Sequence, residues 1–170
     1  MRRLLLTLAL LSACTGASSS PEATIASGPP TTPSEQALSC GKASSTRVVL
    51  AFVHAWNAGD MTALHNTVTN GATLNISTKT QGASEPDSGV YTVAAGWEQI
   101  RPFARSQHRA GQRFSFDRLR AVGGQGVYAD GLRAAYADGS MQSMDDTKFA
   151  YACDAAALHR VVLVAKTPAR

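Results

Sequence analysis

Between Thr46 and Ala58 the apolar side chains Val49, Phe52, Val53 and Trp56 recur at three- and four-residue spacing, which places them on one face of a helix. Ser44, Ser45 and Thr46 are candidate N-caps for that helix. Gly59 suits the left-handed residue that ends it, and Asp60 suits the N-cap of a second helix over Met61 to Val68. Asn70-Gly71 is a turn signal, and ATLNIS after it reads as a short strand. The polar stretch from Thr78 to Gly89 reads as a loop, and VYTVAAG adds a strand edge. A third helical pattern covers Trp97 to Ala110 and stops at Gly111; Pro102 is tolerable there if the regular helix begins close to it. The pattern then changes to strands: RFSFDRLRAV, GVYADGLRAAYA, SMQSMDDTKFAYAC and LHRVVLVAK, joined by the turn-like GGQG, ADGS and CDAAA. About three helices followed by a run of antiparallel strands predict an α+β fold.

The first 38 residues follow a different logic. MRR is a positive leader, LLLTLALL is an apolar stretch of signal-peptide length, and LSAC closes it at Leu11 to Cys14. This resembles the bacterial lipoprotein signal, in which the chain is cut before a cysteine that becomes lipid-modified. The resemblance implies a leader over 1–13 and a lipid-bearing Cys14; the alternative is an ordinary secretory signal with Cys14 incidental. Two or more acyl chains, at about 0.8 kcal/mol per buried methylene, make a stable anchor. Residues 14–38, nearly all Ser, Thr, Ala, Gly and Pro, then read as a stalk with too little apolar area to offset the entropy of ordering. The expected location is the extracytoplasmic side of a bacterial membrane, with a folded domain over 39–170.

Charge excludes one class of partner. The formal net charge is +4, and without Arg2 and Arg3 the balance is 14 basic against 12 acidic side chains. That is too small for the dense basic patch that nucleic acid requires. Cys40 and Cys153 remain once Cys14 is set aside, and in an exported domain two such cysteines favour a disulfide, with two free buried thiols as the alternative.

The segments AFVHAWNAGDMTALHNTVTNGATL and GWEQIRPFAR, in this order of elements, resemble the NTF2-like (nuclear-transport-factor-2-like) superfamily, which includes SnoaL-like proteins and ketosteroid isomerases. The resemblance covers about Arg47 to Val164. It implies a curved antiparallel sheet wrapped around helices, forming a cone with an apolar pocket. It also permits a test of chemistry, because the isomerases need a carboxylate base, a tyrosine and a protonated aspartic acid. Counted without gaps from Gly59-Asp60, the tyrosine falls on Phe52 and the base on Ile76. Neither can move a proton, and only Asp145 is left to match the second acid, so isomerase activity does not carry over.

Phe52, Trp56, Trp97, Phe103, Phe149 and Tyr151 are the candidate lining of a cone pocket, and equally the expected core of a small domain. His54 falls opposite the apolar face of the first helix, His65 lies on a short surface helix, and His108 sits in a last turn where the helix dipole favours a cation. No pair of the four histidines, His159 included, has metal-ligand spacing, and no cofactor motif is present. Arg101, Arg105 and Arg109 form one helical stripe, either a solvated face or a contact for anionic headgroups or an acidic envelope partner. Two functions remain. The first is a lipid-anchored, non-catalytic module binding a small apolar ligand or an envelope protein. The alternative is a SnoaL-like enzyme acting on a small apolar substrate, with Asp145 or Asp146 as acid or base and Tyr128 or Tyr151 assisting.

Overall fold

The computed structural model describes residues 40–84, 86 and 89–168. The expected leader, Cys14 and the stalk lie outside the described residues. Helix α1 (Lys42–Ala58) buries Val49, Phe52, Val53, Ala55 and Trp56, the stripe that its spacing predicts. It starts earlier than the cap residues suggested: Ser44, Ser45 and Thr46 lie inside it, and Gly41 is the N-cap. Ser45 is accommodated because its hydroxyl donates to the Lys42 carbonyl at 3.1 Å. The early start follows from Cys40, which is disulfide-bonded to Cys153 with the Cα atoms 5.1 Å apart, so the chain enters the fold at a fixed point.

The other end of α1 is held as firmly. Gly59 adopts φ +70°, and its Cα lies so near the His108 ring that a Cβ would meet the imidazole at 2.5 Å. The Asn57 side chain donates to the Phe114 carbonyl at 2.8 Å and accepts from the Phe114 N–H at 2.7 Å. Helix α2 (Met61–His65) is capped by Asp60, whose carboxylate accepts from the N–H groups of Thr62 and Ala63. It stops short of Val68 because the Thr67 hydroxyl takes the Leu64 carbonyl and Val68 enters the sheet. Helix α3 (Trp97–Arg109) begins five residues before Pro102, not beside it. Its start is secured by the Gln99 side chain, which accepts from the Ala95 N–H at 3.0 Å, while Pro102 faces solvent on the outer side.

Among the described residues, nine strands follow the expected order: β1 (Val68–Thr80), β2 (Tyr91–Ala95), β3 (Arg113–Ser115), β4 (Arg118–Val122), β5 (Gly126–Asp130), β6 (Arg133–Ala135), β7 (Met141–Ser143), β8 (Thr147–Ala152) and β9 (Ala157–Thr167). Six form one sheet in the order β2-β1-β9-β8-β5-β4, and three form a second in the order β3-β6-β7. Strand β1 reaches Thr80, so it takes in the first residues of the stretch read as loop. The fold is α+β, as the element pattern predicted. One pairing departs from the all-antiparallel expectation: β1 and β9 run parallel. No hairpin joins them, so nothing local dictates their relative direction.

Three of the long strand runs break where the chain passes from one sheet to the other. Arg133 forms a forked pair with the Asp117 carboxylate at 3.0 and 3.1 Å. Gly131 turns at φ +67° directly against that carboxylate, where a Cβ would collide. In the third run the Met144 N–H donates to the Leu132 carbonyl at 2.9 Å, and Asp146 takes φ +48°. These breaks let neighbouring ribbons bend together without losing their pairing.

The disulfide closes a separation of 113 residues. Replacing Cys40 and Cys153 together by Ser should lower the unfolding free energy by on the order of 4–5 kcal/mol in the chain-entropy account. Denaturant titration checks this, and equal midpoints for the oxidised protein and the double variant would refute it.

Candidate functional site

Side-chain alternation along the strands sorts the six-stranded sheet into two faces. On the face toward the helices, paired residues form one row across every strand: Ala94, Leu74, Val161, Phe149, Val127 and Ala121. The aromatic rings of α1 rest on this row. Phe52 meets Phe149 edge-on at 5.8 Å and Trp56 at 5.7 Å, while Trp56 adds Phe114 at 5.3 Å and Phe103 at 6.4 Å. Trp56 and Phe149 are each 1% exposed. Tyr151 is buried in the same core, and the half-buried Trp97, like Phe103, packs against that core while its ring stacks on His65 at 4.4 Å.

The interior is poor in chemistry. Among the described residues the buried polar side chains are Ser45, Thr67, Asn75, Ser77, Lys79, Gln112 and Thr147, and none is acidic. The indole Nε1 of Trp56 and the hydroxyl of Thr147 are buried without a partner. Asp145 and Asp146 are not brought to the aromatic cluster. They sit at the bend before β8, where Lys79 lies 2.8 Å from Asp146 and 3.8 Å from Asp145, and Lys166 lies 3.6 Å from Asp145. Of the two tyrosines named as assistants, Tyr151 is in the core and Tyr128 is on the opposite face of the sheet.

That opposite face carries a groove of about 780 Å³. Its floor comes from β5, β8 and β9 (Gly126, Tyr128, Lys148, Ala150, Arg160, Val162 and Val164), with Val122 on one side and Ser77, Val90 and Pro86 on the other. Asp146 and His159 stand at its margin. Tyr128 is held by cations: the Arg120 guanidinium lies 5.0 Å and the Lys148 ammonium 5.8 Å from its ring centre. Arg120 is itself positioned by Asp130 at 3.5 Å, which also takes Arg118 at 2.7 Å. The hydrogen bond from Arg118, followed by that from Arg120, holds the Asp130 carboxyl below its ordinary value of 3.8.

Sequence reasoning named Tyr128, Asp146 and His159 but did not assemble this groove. Its signal was the alternation of Tyr128, Lys148 and Arg160 against buried neighbours, and β9 hides that signal by carrying valines on both faces. His54 is exposed, as its place on α1 required. His108 packs its ring beneath Gly59, and its Nδ1 is buried without a partner. Arg101 pairs with Glu98 at 3.4 Å, while Arg105 and Arg109 stand in solvent. No group of three or more His, Cys, Asp or Glu among the described residues could hold a metal ion.

Solved structures of the same architecture fix the fold. A cystatin-like-fold protein of unknown function from Methylobium petroleophilum superposes with a TM-score of 0.61 at 10% identity, over 76% of this chain and 80% of that one. The epoxide hydrolase/cyclase-like enzyme SalBIII of pyran ring formation in salinomycin gives a TM-score of 0.56 at 16% identity, over 74% and 93%. An NTF2-like protein of unknown function from Cytophaga hutchinsonii gives 0.51 at 13% identity, over 71% and 88%. The chain therefore has the NTF2-like fold. No family model matches the sequence, and no curated protein matches it.

Two outcomes follow. Trp56→Ala should cost about 3–5 kcal/mol, because the three rings around it (Phe52, Phe103 and Phe114) cannot collapse into the space it leaves; a loss below 1 kcal/mol in denaturant titration would show an interior that is loosely filled. Asp130 contributes its stabilisation fully above its unfolded pKa and loses it as pH falls through the lower folded value. The difference in midpoint between the wild type and Asp130→Asn should therefore hold from pH 7 to about pH 5, shrink as pH falls past 3.8, and vanish only below the lower folded value.

Proposed function

We propose that this protein is a lipid-anchored module of the bacterial cell envelope whose NTF2-like domain binds a ligand or an envelope partner without transforming it. The observation that carries the reading is the filled interior. Phe52, Trp56, Phe103, Phe114 and Phe149 occupy the space between helices and sheet, and no acidic side chain among the described residues is buried there. Proton-transfer chemistry inside such a cone needs a carboxylate aimed at the substrate and a second polar group to share the charge. Asp145 and Asp146 supply neither there, since both serve lysines at the sheet bend. The anchor rests on the leader MRRLLLTLALLSAC and the Ser/Thr/Pro-rich stretch after it.

A SnoaL-like enzyme is the second reading, favoured by one observation. Asp146, Tyr128 and His159 all line the outer groove, so a carboxylate and two other polar groups border one cavity. In this case Asp146 would have to leave Lys79 to act as a base.

Native mass spectrometry of the chain extracted from its host membrane separates the two. The module reading expects a bound molecule that is unchanged after prolonged incubation, and an Asp146→Asn variant that retains it. Turnover that Asp146→Asn abolishes would establish the enzyme instead. Mass analysis of the mature amino terminus should find Cys14 first and carrying acyl chains; an unmodified terminus would remove the anchor from the proposal.

A further inference from the structure

The outer groove has a construction that the filled interior lacks. Gly126 and Ala150 are paired across β5 and β8, so the two smallest side chains lie side by side on this face. Val122 is paired with Gly126 on the β4 side, and Arg160 with Ala150 on the β9 side. The next row is tall: Tyr128, Lys148 and Val162 stand beside one another in register. Small residues bounded by larger ones make a depression whose shape is written in the strand register.

Its charge is equally specific. Asp130 is taken by Arg118 and Arg120, and Asp146 by Lys79. Lys148 and Arg160 appear in no ion pair among the described residues. They are diagonal neighbours on the same face, about 7–8 Å apart at the backbone for such positions. Two like charges at that spacing repel weakly in water, and an anion placed between them would be attracted by both. Val122, half exposed at 50%, and the half-buried Val162 add apolar surface within the same depression.

We propose that this groove binds a soluble amphipathic anion, a carboxylate or phosphate on a compact apolar body. Its charged end lies between Lys148 and Arg160, and its body rests on the Gly126–Ala150 floor against Val122 and Val162. The inference rests on the binding-module reading and gives it a ligand class. A second copy of the chain fits the face less well. An isologous contact about an axis at the groove would set Lys148 and Arg160 against their own counterparts.

The test is calorimetric titration of the full chain in phosphatidylcholine nanodiscs with 2-naphthoate and 2-naphthyl phosphate as probes. One-to-one binding is expected. Lys148→Gln and Arg160→Gln should each weaken it about tenfold. Both positions are exposed, so these variants keep the fold, which circular dichroism verifies. Ala150→Leu should abolish binding by filling the floor; should it not fold, the two Gln variants still decide. Acetate and naphthylmethylammonium should not bind, and rising salt should weaken the naphthyl anions.

Equal binding of the naphthyl cation, or affinity unaffected by both Gln variants, would overturn the proposal. So would binding to phosphatidylglycerol vesicles without binding to either soluble probe, which would make the face a membrane contact. A stable dimer that Lys148→Gln dissolves would assign the face to a second copy and would also overturn it. If the probes fail while native mass spectrometry still finds an unchanged neutral molecule, this inference falls and the module reading stands. Turnover of that molecule would remove the module reading, whatever the probes show.

Discussion

The packing of Phe52 against Phe149, with Trp56 wedged between Phe52 and Phe114, is the contact on which the rest of the molecule depends. Each large aromatic ring removes on the order of 150–250 Å² from water, so this wedge supplies a large share of the core of a small domain. It works because α1 cannot slide along the sheet. The Cys40–Cys153 bond fixes its first turn, and the paired hydrogen bonds between Asn57 and Phe114 fix its last. With both ends pinned, the apolar stripe meets the row through Phe149 in one register, and the space a ligand would need becomes protein.

Filling the interior alters what the sheet has to offer. Each strand has two faces, and here one is consumed by packing while the other retains polar and charged residues in register. Lys148 alternates with the buried Thr147 and Phe149, and Tyr128 with the buried Val127 and Ala129. Strand β9 is the exception, since Val161 and Leu163 face the helices while Val162 and Val164 face outward. Val164 is buried and Val162 half-buried, and they give the outer face an apolar component that a purely solvated sheet would lack.

What could be read from the sequence was local, or rested on residue chemistry. The α1 stripe, the Gly59 stop, the Asp60 cap and the Cys40–Cys153 pair each depend on a few neighbours or on one reactive residue type. Phe52, which the resemblance sets where an isomerase needs a tyrosine, has its ring in the aromatic wedge. The bends at Asp117, Gly131 and Asp146 were hidden, because a strand that bends keeps its side-chain alternation up to the break. The parallel pairing of β1 with β9 joins the first strand of the large sheet to the last, and no short-range pattern reports it. The groove was hidden for the same reason. Gly126, Ala150 and Arg160 become neighbours only after three strands are aligned, and in sequence each is an unremarkable strand residue.

The disulfide links these features to the groove. Cys153 lies just beyond β8, and the Cys40 backbone packs so closely on Gly124 that a Cβ there would collide with the Cys40 carbonyl oxygen. Gly124 belongs to the turn that leads through Gln125 into Gly126, the start of the groove floor. Ala150, the other half of the floor, lies in β8 three residues before Cys153. One covalent bond thus restrains both strands of the floor at the point where the chain enters the described domain. Binding by a shallow depression gains most when its walls need no ordering, because each rotamer-rich side chain immobilised on binding costs about 0.5–1.5 kcal/mol. A floor of glycine and alanine, backed by a bonded strand end, has little left to order. The cost then falls chiefly on Lys148 and Arg160, the two side chains that would have to close on the ligand.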